Sequence, residues 1–186
     1  MDLDPRVREL IAAGDPDAAA TAAIEALGPQ VLGYLGNLHA SDDAEDVFQQ
    51  WAEDLWRGMA GFRGDCTLRA WAFRLAWHAS ARFFRQPWQR RRDRLPTSAA
   101  SRLAASTLRS RPAGAPDERM EVLRNALDPE DRTLLFLRLD REMSWDEVAA
   151  VLGADGDAAT PAALRKRFQR IKDRLEQLAR EKGLLG

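Results

Sequence analysis

Two cysteines are needed for a disulfide, and this chain of 186 residues has one, Cys66. An internal covalent framework of the secreted kind is excluded, and a packed thiol is expected. The two histidines, His39 and His78, have no ligand-like partners in sequence, so no metal site is expected. No apolar run is long enough to cross a bilayer, and the opening residues, MDLDPRVREL, lack a signal-peptide core. A cytoplasmic protein without membrane insertion is the expectation. Nothing in the chain reads as a nucleophile with its base, a glycine loop that cradles phosphate, or a metal cluster. No catalytic residue and no cofactor are therefore assigned, and an enzyme is not expected. Alternation of apolar and polar residues is missing as well, which leaves no convincing strand.

What the chain does have is charge, divided along its length. The total of 28 basic and 29 acidic residues gives a net charge of −1, which conceals the division. From Asp42 to Asp54 there are six acids (Asp42, Asp43, Glu45, Asp46, Glu53 and Asp54) and no Lys or Arg. From Arg82 to Arg94 six arginines face one acid, Asp93, and from Arg165 to Lys182 eight basic residues face three acidic ones. A chain with one acidic and two basic helical segments suits a protein partner and a nucleic acid together.

Apolar residues recur at spacings of three and four, and the 45 % hydrophobic content argues against disorder, so an all-α fold is expected. Short helices are read near Pro5 to Ala13, Pro16 to Leu27 and Pro29 to Leu38, each with proline in or near its first turn, where the missing N–H costs nothing. The next helix begins after Ser41 or Asp42, with Asp42 and Glu45 in a capping-box arrangement, and runs to about Ala60. Ala44, Val47, Phe48, Trp51, Leu55 and Met59 form its apolar stripe, leaving Glu45, Asp46, Gln49, Glu53 and Asp54 largely on the other side. The loop FRGDC leads to a second long helix, capped by Thr67 and ending by Pro87. One of its faces carries Leu68, Trp71, Ala72, Leu75 and Ala79, and another carries Phe73, Trp77 and Phe84.

Residues 95–116 are rich in Ala, Ser, Thr, Pro and Arg and contain no acid, which reads as a flexible linker. It divides the chain into a domain over residues 1–94 and a smaller one over 117–186. The second should hold four helices: Glu118 to about Leu127, one opened by Asp128 and Pro129, one opened by Ser144, and one opened by Thr160 and Pro161. Ser144 with Glu147 spells a capping box for the short helix WDEVAAVLG. The last helix has the stripe Leu164, Phe168, Ile171, Leu175 and Leu178. Ala162, Lys166, Gln169 and Arg170 lie opposite it, with Arg165 and Arg167 on the flanks. A short capped helix before a one-sided basic helix suits a helix-turn-helix entering the major groove, where Lys and Gln reach base edges and arginines hold phosphates. The alternative is a solvated basic face on a terminal helix. The loop between the two helices, ADGDAA, is longer than the usual tight turn.

The two halves together resemble a bacterial RNA polymerase sigma factor of the sigma-70 family, extracytoplasmic-function group. In the first half the resemblance rests on DAEDVFQQ (Asp43 to Gln50), Phe62, and WAFRLAWHASARFFR (Trp71 to Arg85). In the second it rests on LDPEDRTLLFLRLDREMSWDEVAAVLG and LRKRFQRIKDRL. It implies that residues 1–94 are a region 2 domain and residues 117–186 a region 4 domain.

The resemblance further implies that Asp43, Glu45, Asp46, Gln49 and Gln50 contact the clamp helices of the polymerase beta-prime subunit, with the beta flap as a further core contact. It also implies that the first domain takes the minus-ten promoter element as single-stranded DNA. Phe62, Arg63, Gly64, Asp65, Arg69, Arg74, His78, Arg82 and Arg85 fall in that zone, and His78 stands where the family often has asparagine. Phe73, Trp77, Phe83 and Phe84 are either part of a stacking surface or core. In the second domain Ala162, Arg165, Lys166, Arg167, Gln169 and Arg170 become the minus-thirty-five reading set. An anti-sigma factor is a possible further partner. Two other readings remain open: a helix-turn-helix regulator that works without core polymerase, and a sigma-like module that binds an anti-sigma factor without starting transcription.

Overall fold

The computed structural model describes residues 3–85, 99–109, 126–153 and 159–182. The fold is all-α, and among the described residues no strand occurs. No helix there is long and apolar enough to cross a membrane. The chain divides into two compact units, Met1–Arg111 and Pro112–Gly186. The helix expected from Glu118 to Leu127 lies almost wholly outside the described residues.

The first unit contains α1 (Leu3–Ala12), α2 (Pro16–Leu38), α3 (Ser41–Gly58), α4 (Leu68–Arg85) and α5 (Ala99–Arg109), with a short 3₁₀ turn, Met59–Gly61, after α3. The whole expected stripe of α3 is enclosed, with Ala44, Val47, Phe48, Trp51, Leu55 and Met59 each at most 1 % exposed. Facing it are Ile24, Val31, Tyr34 and Leu35 of α2 and Leu68, Ala72, Phe73 and Ala76 of α4, all buried. Two polar groups drawn into this core find partners across it. The Trp51 indole N–H donates to the Ala72 carbonyl at 3.0 Å, and the fully buried Ser80 hydroxyl shares a 2.6 Å hydrogen bond with the His39 ring.

Three local expectations are corrected. The helices read separately from Pro16 and Pro29 are one helix, with Pro29 inside it. Proline cannot donate to the carbonyl four residues earlier. Burial of Leu27, Val31, Leu32, Tyr34 and Leu35 around the missing bond holds the helix together across it. The capping box of Asp42 and Glu45 does not form: α3 begins one residue earlier, with Ala40 at the N-cap position and no side-chain cap.

The third correction falls on the linker. Residues 99–109 within it form α5, and this helix packs on α2 and α3. Ala100 and Ala104, one turn apart, are buried, and Ser101 donates to Glu53 at 2.8 Å. The Thr107 side chain comes within 3.4 Å of where a Cβ on Gly28 would stand. Small residues at helical spacing, which read as linker composition, also allow close approach of two helices.

The second unit contains α6 (Pro129–Leu135), a π-helical turn (Phe136–Asp140), α7 (Trp145–Leu152) and α8 (Pro161–Glu181). Here the caps read from sequence form. Asp128 accepts from the Asp131 N–H at 2.8 Å, Ser144 and Glu147 make a reciprocal capping box, and Thr160 accepts from the Ala163 N–H at 3.2 Å. Each removes an orphan donor of a helix start. The core is formed by Leu134, Phe136, Leu137, Met143, Val148, Val151, Leu164 and Ile171.

Candidate functional site

In the first unit the acidic residues spread over the exposed side of α3. Asp42, Glu45 and Asp46 are exposed, whereas Asp43, Gln49 and Gln50 are half-buried. Gln50 donates to Asp54 at 2.9 Å along the helix. Towards the C-terminal end the charge is balanced internally: Arg57 pairs with Glu53 at 3.1 Å, and Arg82 of α4 pairs with Asp54. The block of six acids is thus concentrated in effect at the start of α3, where the helix dipole is positive and favours negative charge.

The loop from Phe62 to Thr67 turns the chain from α3 into α4. Phe62 is only 8 % exposed and its ring lies 5.1 Å from that of Trp71, so it packs the loop against α4. Arg63 and Asp65 are exposed and 3.4 Å apart. Cys66 is half-buried. Burial pushes its thiol pKa up, with the nearby Arg74 working in the opposite direction and Asp65 and Asp4 adding to the rise. It is the packed thiol expected from sequence.

Along α4, helical spacing puts Arg74, His78, Arg82 and Arg85 on one stripe, while Arg69 lies roughly 140° around the axis from Arg74. Arg82 and Arg85 are exposed and Arg74, His78 and Arg69 half-buried. The structure therefore gathers four of these five residues and leaves Arg69 aside. The aromatic residues separate too. Phe73 is core, edge-on to Tyr34 at 5.6 Å. Phe84, 40 % exposed, stacks on His39 at 4.6 Å, and Phe83 meets the same ring edge-on at 5.2 Å. Trp77 is half-buried.

In the second unit α8 presents Ala162, Arg165, Lys166, Gln169 and Arg170 as exposed residues, opposite the buried Leu164 and Ile171. Gln169 donates to Asp173 at 2.8 Å along the same helix. Arg167 differs from its basic neighbours in being half-buried. Its guanidinium is bound by the carboxylates of Asp131 at 2.5 Å, Glu130 at 2.5 Å and Asp128 at 3.6 Å. Burial opposes its charge, but hydrogen bonding to Asp131 and attraction to Glu130 outweigh that and raise its pKa above arginine's ordinary value. This arginine fastens α8 to the start of α6.

Sequence reading missed two contributors. Asp131 is buried and receives Arg167, yet in DPEDR it looks like any acid in a first helical turn. Trp145 is half-buried, with the Arg138 guanidinium 4.4 Å and the Arg165 guanidinium 5.6 Å from its ring and Phe168 edge-on at 5.6 Å. Cation–π attraction holds Arg165 over the indole. Spacing gave no sign of either.

An acidic helix and a basic stripe lie in one helical unit, and a capped helix followed by a basic helix in the other, so the described residues form an all-helical protein with charged faces of both signs. The family model described as sigma-70 region 2 matches residues 23–92, which span most of α2, α3, the loop and α4. RNA polymerase sigma factor YlaC of Bacillus subtilis (strain 168) is 26 % identical over 131 residues, covering 67 % of this chain and 73 % of the relative. Residues 23–92 thus match sigma-70 region 2, and over two thirds of its length the chain is similar to a sigma factor.

Proposed function

We propose that this chain directs core RNA polymerase to promoters by three surfaces. The exposed start of α3, with Asp43, Glu45, Asp46, Gln49 and Gln50, grips the beta-prime clamp helices. Arg63 and Asp65 of the loop and the stripe Arg74, His78, Arg82 and Arg85 of α4 hold the melted minus-ten strand. Arg165, Lys166, Gln169 and Arg170 of α8 dock on the minus-thirty-five duplex. Residues 1–94 act as the region 2 domain and residues 117–186 as the region 4 domain.

The chemistry of each surface supports its assignment. A one-sign acidic face steers a basic partner and fixes its register. Arginines along a helix follow a phosphate backbone, and exposed aromatic faces take unpaired bases. By holding the opened strand better than the duplex, the protein shifts a melting equilibrium, and the shift cannot exceed its differential affinity for the two states. Binding energy alone is the mechanism, and the polymerase makes the RNA.

The single observation that carries this reading is the exposed acidic start of α3, within a segment that matches sigma-70 region 2. Its test is capture of purified core polymerase by the full chain and by Asp46→Arg with Gln49→Ala. The double variant should lose capture roughly tenfold or more, because a repulsive charge replaces an attractive one, while its melting temperature stays unchanged. Wild-type capture by that variant would contradict the grip. A helix-turn-helix regulator independent of polymerase would bind duplex tightly without core enzyme.

A further inference from the structure

The loop between α3 and α4 is held from outside as well as by its own residues. Asp4 of α1 stands 64 positions before Leu68, and its carboxylate accepts the Leu68 backbone N–H at 3.0 Å. Leu68 is the first residue of α4, so its N–H is among those that helix geometry leaves without an internal acceptor. The local cap is separate: Thr67 accepts the Ala70 N–H at 3.1 Å. The start of α4 is therefore capped twice, once from its own chain segment and once from α1, and the Asp4 charge faces the positive end of the helix dipole. One turn along α1, the Arg8 guanidinium lies 3.8 Å from the same carboxylate. The Arg8 Nε stands 3.3 Å from where a Cβ on Gly64 would be. Gly64 has φ +77°, a conformation that glycine adopts without the cost a side chain brings. α1 thus meets the loop in its middle, at Gly64, and at its end, at Leu68.

We infer that Asp4 and Arg8 are positioning residues that set the geometry of residues 62–67 for capture of an unpaired DNA strand. The inference rests on the proposed function for its ligand. Arg63 and Asp65 are exposed on this loop, and their placement relative to the α4 stripe depends on how the loop enters α4. Neither Asp4 nor Arg8 touches the strand in this account. Electrostatics by itself predicts the opposite sign for Asp4: removing a negative charge near a DNA-binding surface favours DNA. Weaker strand binding on its removal therefore reports geometry.

The test uses the full chain, Asp4→Ala and Asp4→Asn, with a fluorescent single strand taken from the melted region of a promoter transcribed with this chain. Asp4→Ala should bind the strand roughly fivefold to tenfold more weakly, the scale of a lost helix cap, with core polymerase capture unchanged. Asp4→Asn, whose amide oxygen still accepts the Leu68 N–H, should stay within about twofold of wild type. Amide exchange at Leu68 and residues 62–67 should quicken in Asp4→Ala by a similar factor and much less in Asp4→Asn. Wild-type or tighter strand binding by a folded Asp4→Ala would overturn the inference. So would equal loss of strand binding and core capture with a lowered melting temperature, which would mark Asp4 as a general stabiliser. If the wild-type chain holds no strand, the proposed function fails. Amide exchange then decides the positioning claim alone, and an unchanged rate in Asp4→Ala overturns it.

Discussion

In the first unit Trp51, Tyr34, Phe48 and Phe73 are fully enclosed, whereas among the described residues of the second the largest fully enclosed side chains are Leu134, Leu137 and Met143. The first unit is joined across its core by apolar volume. In the second, α8 buries Leu164, Ile171 and Ala179 along 21 residues, and a charged cluster around Arg167 adds to the junction. Helix α8 can therefore leave most of its surface to solvent, and that surface is basic. The difference teaches where each unit has spare charge. In α3 the later acids are answered by Arg57 and Arg82, and in α8 only Arg167 is drawn inward.

The comparison breaks most visibly at the first core. Trp51→Ala removes the largest enclosed side chain and its hydrogen bond to the Ala72 carbonyl, so it should cost about 3 to 5 kcal/mol. Urea unfolding followed by α-helical ellipticity checks this, and a loss below 1 kcal/mol would show that the core of unit one is not held as described. Next comes Arg167→Ala. Its partners Asp128 and Glu130 are well exposed and contribute little, but Asp131 is largely buried and would lose a charged hydrogen bond. The expected cost is roughly 1 to 3 kcal/mol, read in the melting of residues 112–186 by amide exchange. Arg165→Ala should leave that stability nearly unchanged while lowering the salt slope of duplex binding by about 1. An equal slope for the two variants would erase the distinction between neighbouring arginines.

Smaller effects sharpen the same contrast at the helix starts. Ser144→Ala should cost about 1 kcal/mol because it removes a capping box, and Ala40→Asp should add about 0.5 to 1 kcal/mol by supplying α3 with the cap it lacks. Thermal melts of the two variants should move in opposite directions. The least of these effects is at Cys66. Because burial raises its pKa, the thiolate fraction at neutral pH is lower than for an ordinary thiol, and alkylation should be slower than that of a free cysteine. Reaction at the rate of a free thiol would contradict the packed environment.

Much of this was legible from residue spacing. The stripe of α3, the Thr67 cap, the Ser144 box and the Thr160 and Asp128 starts all depend on neighbours three or four positions apart, and the period carries that information. What stayed hidden depends on distant partners. Pro29 signals a break locally, but packing of α2 on both sides overrides it. The small residues of α5 signal a linker until α2 and α3 supply a surface that small residues fit. Arg167 has the same local context as Arg165, and only the fold brings Asp131, 36 positions away, to one of them. Asp4 likewise has no local sign of its bond to Leu68. For the candidate surfaces, the charge signs were readable, while which charges are already answered was not.

The central claim is that an acidic helix recruits the polymerase while basic surfaces choose where it begins. Mapping RNA 5′ ends made by purified core polymerase over a promoter library, with and without this chain, tests it most directly. The account predicts a new set of start sites that share two upstream elements and appear only when the chain is present. Start sites that are the same in both reactions would contradict it.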